Sequence, residues 1–230
     1  MNFSLTAFQW PPFMTGLISM AVVLAFGLLA VRRVTAGVPS GMQSLMETMV
    51  ETFQDLVGQM APPALAPDLT LLSLTLFLLL VVANLIGLLP LPGIGTRWLH
   101  SPTAFLSIPA GLAVAMFILI QWAGIKYKGF GGWVYGWVMK PFPVVGLVVN
   151  ALEQLVMPVS LAFRLFGNIL AGELVLRMTT HAPQGIAGVL TVIGVGTLWL
   201  VFSLVISMIQ ALIFTILTVA YMSIQASSEH

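Results

Sequence analysis

The last apolar segment constrains the fold more than any other feature of the chain. Residues 186–226 contain neither a charged residue nor a proline. As a helix this segment would be about 60 Å long, twice the roughly 30 Å thickness of the hydrocarbon core of a membrane. Its only turn signal, Gly194 with Gly196, would leave a first span too short to cross. The pattern therefore predicts one long, steeply tilted membrane helix.

The composition of the whole chain supports an integral membrane protein. Of its 230 residues, 59% are hydrophobic and 7% are charged, whereas soluble domains average about 25% charged residues. Because lipid-exposed backbone must satisfy its own hydrogen bonds, the predicted class is all-α. The chain has no cysteine and therefore no disulfide, and without a basic run we expect no nucleic-acid partner.

Six helices are predicted within a single membrane domain, 1–230. The five membrane-embedded helices cover 13–31, 69–89, 103–123, 144–180 and 186–226, and the last two form a long tilted antiparallel hairpin. The sixth is an amphipathic surface helix, 39–60, in which Glu47, Glu51 and Asp55 recur every four residues. This acidic stripe is either a solvated face or a docking surface for a peripheral subunit.

The distribution of basic residues predicts the orientation in the membrane. With these spans, five basic residues fall on one side, which the positive-inside bias makes cytoplasmic: Arg32, Arg33, Lys126, Lys128 and Lys140. Arg97 and Arg177 fall on the other side. We therefore expect the N-terminus outside and the C-terminus in the cytoplasm.

Arg164 is the strongest candidate for a functional residue. It lies in the middle of an apolar stretch, where an arginine costs roughly 2.5–3.5 kcal/mol on insertion scales. A guanidinium group stays charged at any biological pH, so Arg164 cannot exchange protons. The nearest acids, Glu153 and Glu173, are each more than about 13 Å away along a helix. We interpret Arg164 as a fixed positive charge within the membrane; the alternative is a structural arginine neutralised by its own chain.

Other polar residues of the last two helices fall on shared faces. At 100° per residue, one set lies within about 60°: Asn150, Glu153, Met157, Arg164 and Asn168. Glu173 points about half a turn away. On the last helix, Ser203, Ser207, Gln210 and Phe214 form a second stripe. Together the two sets predict a hairpin with one polar seam at mid-membrane depth, the fixed cation on that seam and an acid towards each end. This pattern is typical of two water-accessible paths that meet at a charge barrier.

Each of these residues also has a structural interpretation, and the sequence leaves both open. Glu173 and Glu153 would then be interfacial acids, and His181 a solvated loop residue. Asn168, Gln210 and Asn84 would be amides that join helices, and Gly167 with Ala171 would form a small-residue packing ridge. Pro158 is the one proline inside 144–180. Ser203 and Ser207 carry little information by themselves.

Three stretches give the chain a family resemblance. PVSLAFRLFGNILAGELV, at 158–175, closely resembles the signature of subunit a of F-type ATP synthases, and VVANLIGLLP at 81–90 and IQALIFTILTVAYMS at 209–223 agree with it. The resemblance implies that Arg164 is the essential arginine. It also implies that Asn168, Glu173 and Gln210 belong to an outer ion path. Glu153, with Asn150 beside it, would lie on the cytoplasmic path.

The chain departs from the family pattern at two positions. Ser203 stands where several relatives carry a histidine or an acid that partners the position of Glu173, and Met157 replaces a frequent lysine. The first departure implies that water or His181 serves in place of that partner.

The resemblance implies a stator subunit of a rotary ATP synthase in the bacterial plasma membrane. Its implied partners are a ring of c subunits, the peripheral-stalk b subunits, the rest of the F1Fo complex and membrane lipid. It implies no cofactor, no metal and no catalysis by the chain alone. A sodium-translocating version of the subunit stays open, because the ring decides the ion. A stand-alone transporter would usually show inverted repeats, and an intramembrane enzyme would need a motif such as HExxH or GxSxG, which the sequence lacks.

Overall fold

A computed structural model describes residues 10–32, 41–88, 102–138, 145–180 and 191–226, and all regular structure within these ranges is helical. The six α-helices are α1 (Trp10–Arg32), α2 (Met42–Gly58), α3 (Ala66–Leu88), α4 (Ser107–Val138), α5 (Val145–Thr180) and α6 (Thr197–Ala226). A 3₁₀ turn, Pro102–Ala104, precedes α4, and a π-helical segment, Thr191–Gly196, leads into α6. The predicted all-α membrane class is confirmed.

Four helices in the described ranges are long and apolar enough to cross a membrane. They contain the segments Phe13–Arg32, Ala66–Ile86, Ser107–Gly136 and Gly194–Ala226, and α5 adds a shorter apolar stretch, Pro158–Gly172. Large apolar side chains of α1, among them Leu24, Leu28 and Val31, are exposed. Such exposure is expected of a helix that faces lipid rather than water.

The surface helix predicted from its acidic stripe corresponds to α2, which packs against α3. Phe53 and Val57 are buried, and the Phe53 ring lies 5.3 Å from that of Phe77 in α3, between centroids. The three acids at four-residue spacing are exposed: Glu47, Glu51 and Asp55. Helix α2 therefore buries its apolar face on the bundle and presents its charges outward.

Helix α4 continues well beyond residue 123, where hydropathy predicts its end. Gly129 interrupts it with φ 72° and ψ 161°, a conformation that is essentially restricted to glycine. After this break Trp133 Nε1 donates a hydrogen bond to Gln121 Oε1 over 3.0 Å. In an unbroken helix these residues would be about 18 Å apart. The segment after Gly129 therefore folds back along α4.

The fold-back segment, α4 and the end of α6 meet at one close contact. Gln225 Nε2 of α6 donates to the same Gln121 oxygen over 3.3 Å. A Cβ atom added at Gly124 would lie 2.8 Å from Gln225 Cγ and 2.9 Å from Trp133 Cδ1. Only glycine at position 124 allows the three segments to approach this closely.

The core is built mainly from α3, α4, α5 and α6. Its fully buried side chains include Leu80, Ile120, Leu165 and Phe214, one from each helix. Helix α5 contacts α4 and α6, and α6 also contacts α3. Because lipid is as apolar as these side chains, close packing rather than exclusion of water drives such association. The steep tilt and antiparallel course of α5 and α6 stay predictions.

Candidate functional site

Arg164 lies on the exposed side of α5. The buried side of this helix carries Leu161, Leu165 and Ile169, whereas Arg164 is exposed and Asn168, one turn later, is half-buried. No acidic side chain that the structure describes forms an ion pair with Arg164. The arginine therefore presents its charge away from the bundle.

Small residues surround Arg164 on the same side of the helix. Ser160, Gly167 and Ala171 lie one to two turns from it, and all three are exposed. A Cβ atom added at Gly167 would meet no atom within 4 Å. We call Ser160, Arg164, Gly167 and Ala171 the outer face of α5. Such a face allows another helix to come close to the backbone beside a positive charge.

The polar stripe of α6 faces the opposite way, into the bundle. Its four members are buried, with exposed fractions of 7%, 3%, 6% and 0% for Ser203, Ser207, Gln210 and Phe214. The four-residue and three-residue spacing of the stripe agrees with one buried helix face. Arg164 and the α6 stripe therefore lie on different surfaces and do not share the single polar seam expected from the sequence. Arg164 faces outward, while Gln210 faces the interior.

Hydrogen bonding is incomplete on the inner side of α6. Among the residues that the structure describes, three buried polar atoms of α6 have no hydrogen-bond partner: the nitrogens Gln210 Nε2 and Trp199 Nε1 and, near the end of the helix, Ser223 Oγ. Farther along α6, by contrast, the hydroxyls of Thr215 and Thr218 donate to the carbonyls of Ala211 and Phe214 over 2.9 Å each. These threonines are satisfied within their own helix. The two nitrogens require a partner from elsewhere.

Asn84 joins α3 to α6 and to the 3₁₀ turn. It is fully buried, its Nδ2 donates to the main-chain carbonyl of Ser207 over 3.4 Å, and its Oδ1 accepts from the Thr103 hydroxyl over 2.8 Å. Both the nitrogen and the oxygen of the side-chain amide are therefore hydrogen-bonded. It links α3 to the turn of α6 just before Gln210.

For three of the remaining candidates the structure describes the backbone but not the side chain. Asn150, Glu153 and Glu173 lie within the helical course of α5, but their side chains are outside the described set. His181 lies outside the described residues. Pro158 is half-buried inside α5, which continues through it although proline cannot donate the usual helical hydrogen bond.

Two residues were not singled out from the sequence: Trp199, which extends the polar stripe, and Thr103, which bonds to Asn84. Trp199 lies four residues before Ser203 and therefore on the same side of the helix, so the stripe spacing contained the signal for it. Thr103 lies in the 3₁₀ turn, and no local pattern marks it as a partner of Asn84. Only the fold brings those two side chains together.

Comparison with known proteins agrees with this architecture. The family model described as ATP synthase A chain matches residues 13–223. ATP synthase subunit a of Halorhodospira halophila is 33% identical, with the alignment covering 91% of this chain and 84% of the relative. The homologues from Desulforamulus reducens and Histophilus somni are each 34% identical; the alignments cover 92% and 90% of this chain and 78% and 84% of the relatives. The chain therefore belongs to the ATP synthase A chain family, that of subunit a of the F-type ATP synthases.

Proposed function

We propose that the chain is the stator subunit of a membrane Fo sector and passes protons to and from carboxylates of a c-subunit ring. Two offset half-channels would connect these carboxylates to the two sides of the membrane, with Arg164 as the fixed cation between them. The observation that carries the proposal is the exposed position of Arg164 on the small-residue outer face of α5.

The charge of Arg164 argues for a partner on this face. An arginine directed into lipid is costly, and no acid that the structure describes pairs with it. A ring of helices, each with a carboxylate at mid-membrane depth, would supply the opposite charge. Ser160, Gly167 and Ala171 would let the ring helix approach closely enough for the two charges to interact.

The proposed cycle follows from the cost of charge in lipid. A proton from the outer path, near Glu173 and Gln210, neutralises a ring carboxylate, which can then rotate into lipid, where its charged form would be strongly disfavoured. On return it meets the cytoplasmic path near Glu153 and Asn150 and loses its proton. Arg164 then attracts the carboxylate and favours its ionised form.

Arg164 also separates the two paths. A proton that moves directly from one path to the other must pass the fixed positive charge, which repels it. Rotation of the ring is then the easier route. The driving force is about 2.3 kcal/mol per charge for each 100 mV across the membrane.

Residues near the outer path complete this proposal. Ser203 and Ser207 lie on the buried side of α6 with Gln210, and water or His181 would partner Glu173 where relatives have a histidine or an acid. The exposed acidic stripe of α2 suits the peripheral-stalk b subunits. The proposed location is the bacterial plasma membrane, with the N-terminus outside and the C-terminus in the cytoplasm.

The test is the substitution Arg164→Ala in the assembled complex, followed by ATP-driven acidification of membrane vesicles. We expect pumping to vanish while the complex still assembles, and passive proton leak to rise because the barrier is lost. Arg32→Ala is the matched control, since Arg32 is an exposed arginine at the end of α1. It should pump at the original rate. Pumping by the Arg164→Ala complex near the original rate would refute the fixed-cation mechanism.

Two further transport measurements separate the alternatives. A sodium-translocating version of the subunit would accelerate with added sodium, and a protonophore would not reduce its sodium uptake. A stand-alone transporter would move ions when the purified subunit is reconstituted without its partners. We expect no transport from the subunit alone.

A further inference from the structure

The two unpaired N–H groups of α6 lie in one line. Trp199 and Gln210 are eleven positions apart, which places them within about 20° of each other around the helix and roughly 16 Å apart along it. Ser203 and Ser207 lie between them on the same buried side. The interior side of α6 therefore carries a row of four polar side chains with an unpaired donor at each end.

Leaving such donors unpaired is expensive. A buried polar group without a hydrogen bond costs about 1–3 kcal/mol. Thr215 and Thr218 avoid this cost because a short hydroxyl side chain can reach the carbonyl one turn earlier. The indole of Trp199 and the amide of Gln210 make no such bond. Their partner must come from outside the described helices.

The chemistry of the row suits water as the partner. An indole N–H can only donate, so whatever meets Trp199 must be an acceptor, and a bare metal cation is excluded there. Water accepts and donates, and it occupies buried sites that offer two to four polar partners. The serine hydroxyls and the Gln210 amide supply such partners at successive turns.

The backbone before Trp199 is also unusual. The π-helical segment Thr191–Gly196 ends three residues before it, and π-helical turns are often found at functional sites. The row thus begins where the helix changes its hydrogen-bonding pattern.

We propose that Trp199 is a positioning residue of the ion path: its indole N–H holds the first water of a file that runs past Ser203 and Ser207 to Gln210. This inference rests on the proposed function, because it assigns the file to the outer path. Trp199 would not carry the proton itself. It fixes the orientation of a water whose hydrogens then point along the row.

The test uses the absence of cysteine from the chain, so an introduced cysteine is the only thiol of this subunit, and labelling is read on this subunit after separation. Ser207→Cys is introduced into the assembled complex and treated with a water-soluble methanethiosulfonate reagent. Such reagents modify the thiolate, which forms in contact with water. The control is Val205→Cys on the outward, lipid-facing side of the same helix. We expect Ser207→Cys to react at least about tenfold faster than the control.

A second substitution tests Trp199 itself. Trp199→Phe keeps an aromatic ring but removes the N–H, and we expect labelling of Ser207→Cys to slow severalfold. Phe202→Leu removes the ring that lies 5.3 Å from Trp199, between centroids, and leaves the N–H in place, so the labelling rate should not change. Equal labelling rates at positions 205 and 207 would overturn the water file. Slow labelling in both the Trp199 and the Phe202 variants would overturn the role of the N–H.

Labelling also separates this inference from the proposed function. It needs no turnover, so it can be measured in the Arg164→Ala complex. If Ser207→Cys is still labelled in the Arg164→Ala complex while pumping is lost, both the water file and the fixed-cation mechanism are supported. Pumping that persists in that complex refutes the fixed-cation mechanism, whereas the water file is still decided by the labelling rates.

Discussion

The side-chain amide of Asn84 in α3 donates a hydrogen bond to the main-chain carbonyl of Ser207 in α6. The same side chain accepts a hydrogen bond from Thr103, so one buried residue connects α3 to the 3₁₀ turn and to the distant helix α6. The hydrogen bond to Ser207 places this turn of α6 against α3. It agrees with the burial of Ser207 and Gln210 on the interior side of α6.

Asn84→Ala should destabilise the subunit. Interhelical hydrogen bonds in membranes contribute about 0.6 kcal/mol on average and up to about 1.7 kcal/mol, and this substitution removes two of them. We expect a loss of about 1–2 kcal/mol, measured as a lower midpoint for thermal dissociation of the purified complex. Thr52→Ala is the control, since that hydroxyl is exposed and bonds within its own helix. An unchanged midpoint for Asn84→Ala would show that the amide is not a structural link.

Gly124→Ala should also be destabilising, but through overpacking. The new Cβ would lie 2.8 Å from Gln225 Cγ and 2.9 Å from Trp133 Cδ1, so both side chains must move. Overpacking typically costs about 1–3 kcal/mol. Gly111→Ala in the same helix is the matched control, because nothing lies within 4 Å of its added Cβ. The thermal midpoint should fall for Gly124→Ala only, and equal midpoints would contradict the close contact.

Gly167→Leu should leave the subunit folded and impair coupling to the ring. Gly167 is exposed, and a Cβ atom added there meets no atom within 4 Å, so we expect the chain itself to accommodate a larger side chain. Under the proposed function, leucine would keep the ring helix away from Arg164, and ATP-driven pumping should fall at least about tenfold because close approach requires small residues. Gly27→Leu in α1 has equally open surroundings and serves as the control. Normal pumping by Gly167→Leu would place the ring elsewhere.

The acidic stripe of α2 can be tested as a docking surface. Replacing Glu51 and Asp55 by Gln and Asn removes two exposed charges and leaves the buried Phe53 and Val57 in place. If the b subunits bind there, less of them should copurify, and the loss should increase with salt because screening weakens what remains. Unchanged copurification would identify the stripe as a solvated face.

Periodicity predicted the interior side of α6 from the sequence but left the outward direction of Arg164 undetermined. On α6 the spacing of Ser203, Ser207 and Gln210 defined one face, and the structure buries all three. On α5 both sides are apolar, because one meets lipid and the other meets protein. Hydrophobicity alone cannot tell a side that meets lipid from a side that meets protein. The packing of Leu161 and Leu165 against the bundle shows that Arg164 faces outward.

Helix α4 ends at Val138, whereas the sequence predicts that the span ends at residue 123. Lys126 and Lys128 indicate the end of the span 103–123, and the glycine- and tryptophan-rich segment after them predicts an interfacial loop. The structure keeps this segment helical and reverses it at Gly129, where the hydrogen bond from Trp133 to Gln121 holds it against α4. That contact depends on chain reversal, which no local pattern encodes.

Helix α6 is held at two places. Asn84 of α3 forms a hydrogen bond to it at Ser207, and Gln121 of α4 forms one at Gln225, roughly 27 Å farther along the axis. A helix that is attached at one point can still tilt about that point, whereas attachment at two separated points opposes tilting. Sideways load on the outer surface of α6 is therefore passed to α3 and α4 as shear. Both hydrogen bonds therefore oppose a displacement of α6 relative to its two neighbours.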